Sequence, residues 1–320
     1  MSANPITMSA DPTAMSPTTT AVNHSPLTPP AAIGFIGLGN MGYPMAKRLV
    51  AAGYTLYVAD LNADAVQKFC AETGAKAAAD LTALGAASSL VITMLPDGKA
   101  VRKVLLENTG AISGIKPGTL LVDMSSCSPV DTRVLAQELK ARGFDLVDAP
   151  VSGGVVKAVS GGLAIMAGGD SAAIAICRPV LEQLGKVFAT GASGSGHAMK
   201  AINNFLSATT LAITSEAVIA GTKFGLDPKV IVDIINASTG RSNSSEHKFP
   251  TFILPETYNS GFYLGLMAKD LRFAKALNEA VDAPNTFVNA ISALYDAAEQ
   301  ELGFQADNCE IHRYLEKRVG

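Results

Sequence analysis

The sequence predicts an α/β protein, a doubly wound Rossmann domain followed by an all-α domain, with one long helix joining them. Three observations carry this. Short apolar runs alternate with segments of helical spacing up to about residue 193, as strands alternate with crossover helices in a parallel sheet. From His197 to about Phe224 the chain then runs without a breaker, with only Lys200, Glu216 and Lys223 carrying formal charge. The rest of the chain has helical spacing. The 320 residues exceed what one core comfortably serves, so a tail (1–30), a dinucleotide-binding domain (31–193) and a helical substrate and oligomerisation domain (194–320) are expected.

Each element has its own justification. Residues 1–30 are rich in Ser, Thr, Pro and Ala and contain no Lys or Arg, so they match neither a signal nor a transit peptide. They cannot bury enough apolar surface to order themselves and read as a disordered tail. AAIGFIG is the first strand and NMGYPMAKRLVAAG its helix; TLYVAD and NADAVQKFCAETG are the second pair. Further strands fall at SLVITML, TLLVDMSS, FDLVDAPVSGG, LAIMAGG and KVFATG, the last two around the helical SAAIAICRPVLEQL. The long helix would span roughly 40 Å at about 1.5 Å per residue. It is apolar on most faces, which implies burial in protein, and its scattered Ser, Thr and Asn argue against lipid. DPKVIVDIINAS, LMAKDLRFAKALNEAV and NTFVNAISALYDAAEQELG complete the helical half.

Composition narrows the partners. A net charge of -3 argues against nucleic acid, whose backbone needs a basic face. No run of 18 or more uninterrupted apolar residues occurs, so no membrane span is expected. Cys70, Cys127, Cys177 and Cys309 are widely separated and form no C-x-x-C pair, which fits reduced thiols in a cytoplasmic protein and no metal site.

The first strand ends in Gly37-Leu38-Gly39-Asn40-Met41-Gly42, a G-x-G-x-x-G. Gly37 permits a tight turn, Gly39 lets a pyrophosphate approach the backbone, and Gly42 lets helix and strand pack closely. The helix N-terminus offers amides and partial positive charge to the phosphates. Asp60, 18 residues past Gly42, ends the next strand, where its carboxylate can accept from ribose hydroxyls. It would repel a 2′-phosphate, and no arginine stands in LNADA to attract one, so NAD is expected rather than NADP.

Three later stretches bear chemistry. Ser125 and Ser126 come directly after a strand at the sheet edge where ligands bind, and so do Ser152, Gly153 and Gly154, a turn able to seat a carboxylate. On the long helix Lys200 and Asn204 are four residues apart and share a face, with His197 close to it. Read locally, Lys200 is either a lysine snorkelling to water or a buried base of lowered pKa. His197 reads as a capping or core residue, and each serine turn reads equally as a plain loop.

GFIGLGNMGYPMAKRL, VDMSS-x-SP, DAPVSGG, G-S-G-x-x-x-K-x-x-NN and GLMAKDL, in this order over about residues 31–317, resemble the β-hydroxyacid dehydrogenases. The resemblance implies NAD(P)-dependent oxidation of a small β-hydroxy acid, such as 3-hydroxyisobutyrate or D-glycerate, and a homodimer or homotetramer built through the helices. It further implies Lys200 as general acid/base with Asn204 beside the substrate, and Ser152 and Gly153 as the carboxylate seat. Ser125 would stand at the nicotinamide end, Leu95 and Pro96 in a loop over the cofactor, and Lys269 as a lysine reaching the cofactor from the helical side. Arg241 is either a second anionic anchor or a surface charge. Two other readings compete: a non-catalytic dinucleotide sensor or scaffold, and an imine reductase, which carries a different residue at the lysine position.

Overall fold

The computed structural model describes residues 25–107 and 109–319. Most of the segment read as a disordered tail, residues 1–24, lies outside them. Residues 25–30 do not behave as a free tail: the Leu27 amide donates to the Ile176 carbonyl at 2.9 Å, and the Tyr54 hydroxyl donates to the Leu27 carbonyl at 3.1 Å.

The first half comprises β1 (Ala32–Ile36), α1 (Gly42–Ala51), β2 (Thr55–Ala59), α2 (Ala63–Thr73), β3 (Lys76–Ala77), α3 (Leu81–Ala87), β4 (Leu90–Thr93), α4 (Gly98–Leu106), β5 (Leu120–Asp123), α5 (Pro129–Ala141) and β6 (Leu146–Asp148). β7 (Val151–Ser152), α6 (Gly154–Ser160), β8 (Leu163–Gly168), α7 (Ser171–Glu182) and β9 (Gly185–Gly191) complete it. The sheet runs β3-β2-β1-β4-β5-β6-β8-β7, with β9 on β8. The first six strands are parallel, in the doubly wound order. The expected all-parallel continuation fails at β8, which is antiparallel to β6 and β7 and parallel to β9. Only residues 153–162 separate β7 from β8, fewer than the dozen or so a parallel crossover needs.

Both sheet faces are covered, as period-2 alternation dictates. On β4, Leu90 and Ile92 join Phe35, Leu56 and Val58 in one core, while Val91 joins Leu84, Val101 and Leu135 in the other. The edge strand β3 was missed, since two exposed residues leave no hydrophobic pattern.

The helical half consists of α8 (Ser195–Phe224), α9 (Pro228–Asn236), a π-helical segment (Ser244–Ile253), α10 (Leu264–Ala280), α11 (Thr286–Leu302) and α12 (Ile311–Glu316). Gly194 and Gly225, both at positive φ, bound α8. Its length and apolar character would suffice for a membrane span, yet it packs within the protein, against β8, β9, α9, α10 and α12. Leu211, Val218, Phe249, Leu264, Leu271 and Tyr295 form the core there. Sequence patterning gave no sign of the π-helical segment: Pro250 removes a donor inside it, and the closing bond runs from the Leu254 amide to the Phe249 carbonyl, five residues back.

Candidate active site

The glycine turn links β1 to α1. Gly37 sits at φ +103°, and a Cβ there would collide with the Met94 carbonyl; one on Gly42 would collide with the Gly37 carbonyl. A Cβ on Gly39 would meet nothing within 4 Å, so Gly39 and the exposed Asn40 mark the open side of the turn. No side chain caps the start of α1 at Met41; the Tyr43 amide donates to the Gly39 carbonyl at 3.0 Å and Pro44 carries no N–H, so the amides of Met41 and Gly42 are the ones that can meet an anion. The Asp60 carboxylate is held beside the turn: Oδ2 accepts from the Leu38 amide at 2.6 Å and Oδ1 from the Asn62 amide at 2.8 Å. Open cradle, uncapped helix N-terminus and a second-strand carboxylate together fit a dinucleotide.

The loops after β4 and β5 meet beside this cradle. Ser125 Oγ accepts from the Leu95 amide at 2.9 Å, and the Ser125 amide donates to Asp123 Oδ1 at 3.0 Å. Lys269, on α10, donates to the Pro96 carbonyl at 2.7 Å and to the Ser126 carbonyl at 3.0 Å. Its ammonium therefore clamps two Rossmann loops to the helical half.

Lys200 lies in the second turn of α8, half-buried. Burial pushes its ammonium below the ordinary lysine range; Asp270 opposes this and Lys269 reinforces it. Among the described residues its Nζ makes no hydrogen bond or ion pair. One turn on, the buried Asn204 donates through Nδ2 to Asp270 Oδ2 at 2.5 Å, and its Oδ1 accepts from Asn203 at 3.1 Å. Asp270 Oδ1 accepts from Ser126 Oγ at 2.7 Å. One buried carboxylate thus fixes the amide of α8 and the hydroxyl of the β5 loop at once. A lysine that gives up its proton readily beside an oriented amide can exchange a proton with a hydroxyl or carbonyl oxygen.

Ser152, Gly153 and Gly154 form the turn from β7 into α6, with Gly153 at φ +135° and Gly154 at φ +66°, a backbone that favours glycine. Both glycines are exposed, and this turn stands outside the Ser126–Asp270–Asn204 hydrogen-bond cluster. Arg241 is exposed and pairs with the equally exposed Glu246 at 3.5 Å, on its own segment.

His197 is buried. Its Nε2 donates to the Ser125 carbonyl at 3.0 Å, and its Nδ1 faces Thr132 Oγ1 at 2.9 Å. Its own amide donates to Asp148 Oδ2 at 2.9 Å, and the Gly194 amide donates to Asp148 Oδ1 at 2.7 Å. Burial raises the Asp148 carboxyl, against the pull of His197 and these amides. The start of α8 is thereby bolted to β6 and to the Ser125 turn. Asp123, Cys127 and His197 lie close enough to suggest a metal donor set, with donor atoms within 4.8 Å. Those atoms are already engaged: Asp123 accepts from Thr93 and Ser125, the Cys127 thiol donates to Asp123, and His197 bonds Ser125 and Thr132.

Residues 32–194 match the family described as the NAD binding domain of 6-phosphogluconate dehydrogenase, and residues 194–315 that described as NAD-binding of NADP-dependent 3-hydroxyisobutyrate dehydrogenase. The 2-(hydroxymethyl)glutarate dehydrogenase of Eubacterium barkeri is 40% identical over 253 residues, 79% of this chain and 84% of that protein. The NAD-dependent L-serine dehydrogenase of Pseudomonas aeruginosa is 37% identical over 270 residues, 82% of this chain and 90% of that one. A solved structure of Mycobacterium tuberculosis 3-hydroxyisobutyrate dehydrogenase with L-serine superposes with a TM-score of 0.83 at 31% identity, covering 89% of this chain and 99% of that one. The chain belongs to the β-hydroxyacid dehydrogenase family. It is an NAD(P)-dependent dehydrogenase acting on the CH–OH group of a β-hydroxy acid, which displaces the sensor and imine reductase readings.

Sequence reasoning missed one central residue of this dehydrogenase. Asp270 comes after Lys269 within GLMAKDL, but nothing local distinguishes its carboxylate from a surface charge. A position only 2% exposed on α10 makes it visible, and that needs the fold.

Proposed function

We propose that this dehydrogenase uses Lys200 as its general acid/base on the β-hydroxyl of a small carboxylic acid, with NAD as the preferred cofactor. The single observation that carries the catalytic reading is Lys200 itself, a desolvated amine without a protein partner among the described residues, one turn from an amide clamped by Asp270. Bound nicotinamide would supply the acceptor or donor of the hydride. In oxidation, neutral Lys200 takes the proton from the substrate hydroxyl; in reduction, protonated Lys200 returns it to the carbonyl oxygen. Asn204 orients that oxygen. Ser152 and the amides of Gly153 and Gly154 seat the carboxylate, and Ser125 with Leu95 and Pro96 borders the nicotinamide. Asp60 supports the NAD preference, since a carboxylate beside the glycine turn at the end of β2 would repel a 2′-phosphate.

The three relatives differ in substrate, yet 2-(hydroxymethyl)glutarate, 3-hydroxyisobutyrate and L-serine all carry a hydroxyl on the carbon β to a carboxylate. The test is a panel of such acids, with D-glycerate and a sulfonated analogue added, run with NAD and NADP side by side. Reduction of NAD by at least one β-hydroxy acid, faster than of NADP, is expected; a strong NADP preference would overturn the ribose argument.

Assembly and location belong to the same proposal. Met199, Ile202, Leu206 and Ile213 are exposed at three-, four- and seven-residue spacing along one face of α8. That seam supports a homodimer or homotetramer through the helical half, checked by light scattering. Four free cysteines, three of them buried, support a reducing, cytoplasmic setting.

A further inference from the structure

One cation in the helical half has no part in the reaction proposed above. Lys248 lies in the π-helical segment and is half-buried, and its Nζ donates to Ser207 Oγ at 3.2 Å. Ser207 is on α8, seven residues after Lys200. Seven residues are two turns, so Ser207 returns to the face of Lys200, offset by about 20° and about 10 Å further along the axis. Lys200, Asn203, Ser207 and Thr210 thus form a partly accessible polar strip on α8, all half-buried, above the buried Asn204, Ala208 and Leu211. The π-helical segment lies against its far end, where Thr210 Oγ1 and Ser244 Oγ are 3.2 Å apart.

The charge on Lys248 is poorly compensated. Burial lowers its ammonium below the ordinary lysine range, against the pull of Cys309 and Asp307. Among the described residues no carboxylate oxygen lies within ion-pair distance of it. Asp307, the carboxylate named, spends its oxygens on Ser260 Oγ and on the amides of Gly261 and Cys309. A desolvated cation with a neutral hydroxyl as its hydrogen-bond partner is costly in the free protein and is relieved by an incoming anion. Arg241, the other candidate for that role, is exposed and already paired with Glu246.

We propose that Lys248, with Ser207, forms a distal anion subsite, and that the preferred substrates are β-hydroxy acids bearing a second carboxylate. The inference rests on the reading of Lys200 as the group that meets the reacting hydroxyl. The separation along α8 then suits a dicarboxylic acid with a chain of four or five carbons between the reacting oxygen and the second carboxylate. 3-Hydroxyisobutyrate cannot reach Lys248.

The experiment measures kcat and KM of the wild type, Lys248→Met and Lys248→Arg for 2-(hydroxymethyl)glutarate and 3-hydroxyisobutyrate, with glutarate binding to the NAD-loaded proteins by calorimetry. The wild type is expected to favour the diacid at least tenfold in kcat/KM. Lys248→Met should lose about 30-fold or more on the diacid, mainly in KM, stay within about threefold on the monoacid, and lose glutarate binding; Lys248→Arg should recover most of the loss. Equal losses on both acids, with a lowered Tm, would reduce Lys248 to a packing residue and overturn the subsite. Unchanged diacid kinetics would overturn it too. If neither acid is oxidised, the substrate reading fails, and the glutarate arm decides the subsite separately: binding abolished in Lys248→Met upholds it, while binding unaffected by that change or absent from the wild type rejects it.

Discussion

The two sides of the candidate site, a Rossmann wall and a helical wall, work by different means. The Rossmann wall presents backbone: a turn with no side chain at Gly39, the N-terminal end of α1 with no side-chain cap, and one carboxylate, Asp60, pinned by the Leu38 amide. The helical wall presents side chains, Lys200, Asn204, Lys269 and Asp270, with Asn204 held by Asp270 and Lys269 and Asp270 tied to the Rossmann loops. A backbone site is specified by a few neighbouring residues and binds a group common to many reactions. A side-chain site is specified by residues as far apart as Ser126 and Asp270, and carries the particular reaction. Mutations should separate the two walls: on the helical side they should change turnover, and on the Rossmann side cofactor affinity.

The sharpest test is Lys200→Met. Without the proton acceptor, kcat should fall about 10²–10⁴-fold, or ~3–5 kcal/mol, while NAD binding followed by fluorescence stays near the wild-type value. Near-normal turnover would break the assignment. The pH profile adds a sign. On the proposed mechanism oxidation needs neutral Lys200, so kcat/KM should rise with pH through an apparent pKa below the ordinary lysine value of 10.5, and this limb should vanish in the variant.

The next largest effect falls on the bolt between the walls. His197→Ala leaves the Ser125 carbonyl without its buried donor, at about 1–3 kcal/mol for a group left unsatisfied, while Thr132 keeps its bond to the Ser128 carbonyl. A fall in Tm of several degrees is expected, along with lower kcat as the Ser125 turn loosens against α8. An unchanged Tm would mean that the start of α8 is held by Asp148 alone.

This contrast also explains what was legible in the sequence. Gly37, Gly39, Gly42 and Asp60 could be read because their geometry is local, a strand, a turn and the end of the next strand. Lys200 and Asn204 shared a helical face by spacing alone, but the burial that lowers the Lys200 ammonium below the ordinary lysine range comes from elsewhere in the chain. Asp270 could not be found, because its partners are 66 and 144 residues away. Lys269 was expected at the cofactor, and its bonds to the Pro96 and Ser126 carbonyls were hidden, since a lysine's reach says nothing of which acceptor is nearest. The turn of the sheet at β8 was hidden for a similar reason: an apolar run does not state its direction.

Asp270→Asn tests the coupling within the helical wall. The amide keeps the shape but loses the charge that holds Asn204 and Ser126, and a hydrogen bond to a charged group is worth about 1.5–3 kcal/mol. A loss of about 10–100-fold in kcat/KM is expected. Asp270 also favours the protonated form of Lys200, so without it the basic limb should move to lower pH. A limb that stays put would separate Asp270 from Lys200 electrically, leaving it a purely structural clamp.

Asp60→Ala should produce the smallest effect, on the other wall alone. The Leu38 and Asn62 amides lose an acceptor at a half-exposed position where water can substitute, so the fold should tolerate the change. If Asp60 is the ribose acceptor as proposed, KM for NAD should rise about 5–30-fold, or ~1–2 kcal/mol, the range of one to two net hydrogen bonds. NADP should be hurt less or should gain, because the repulsion of its 2′-phosphate is gone. With NAD saturating, kcat should stay close to wild type, since nothing on the helical wall has moved. A kcat that collapsed with KM would show that the walls are not independent, and that the carboxylate at the end of β2 also sets the position of the reacting end of the cofactor.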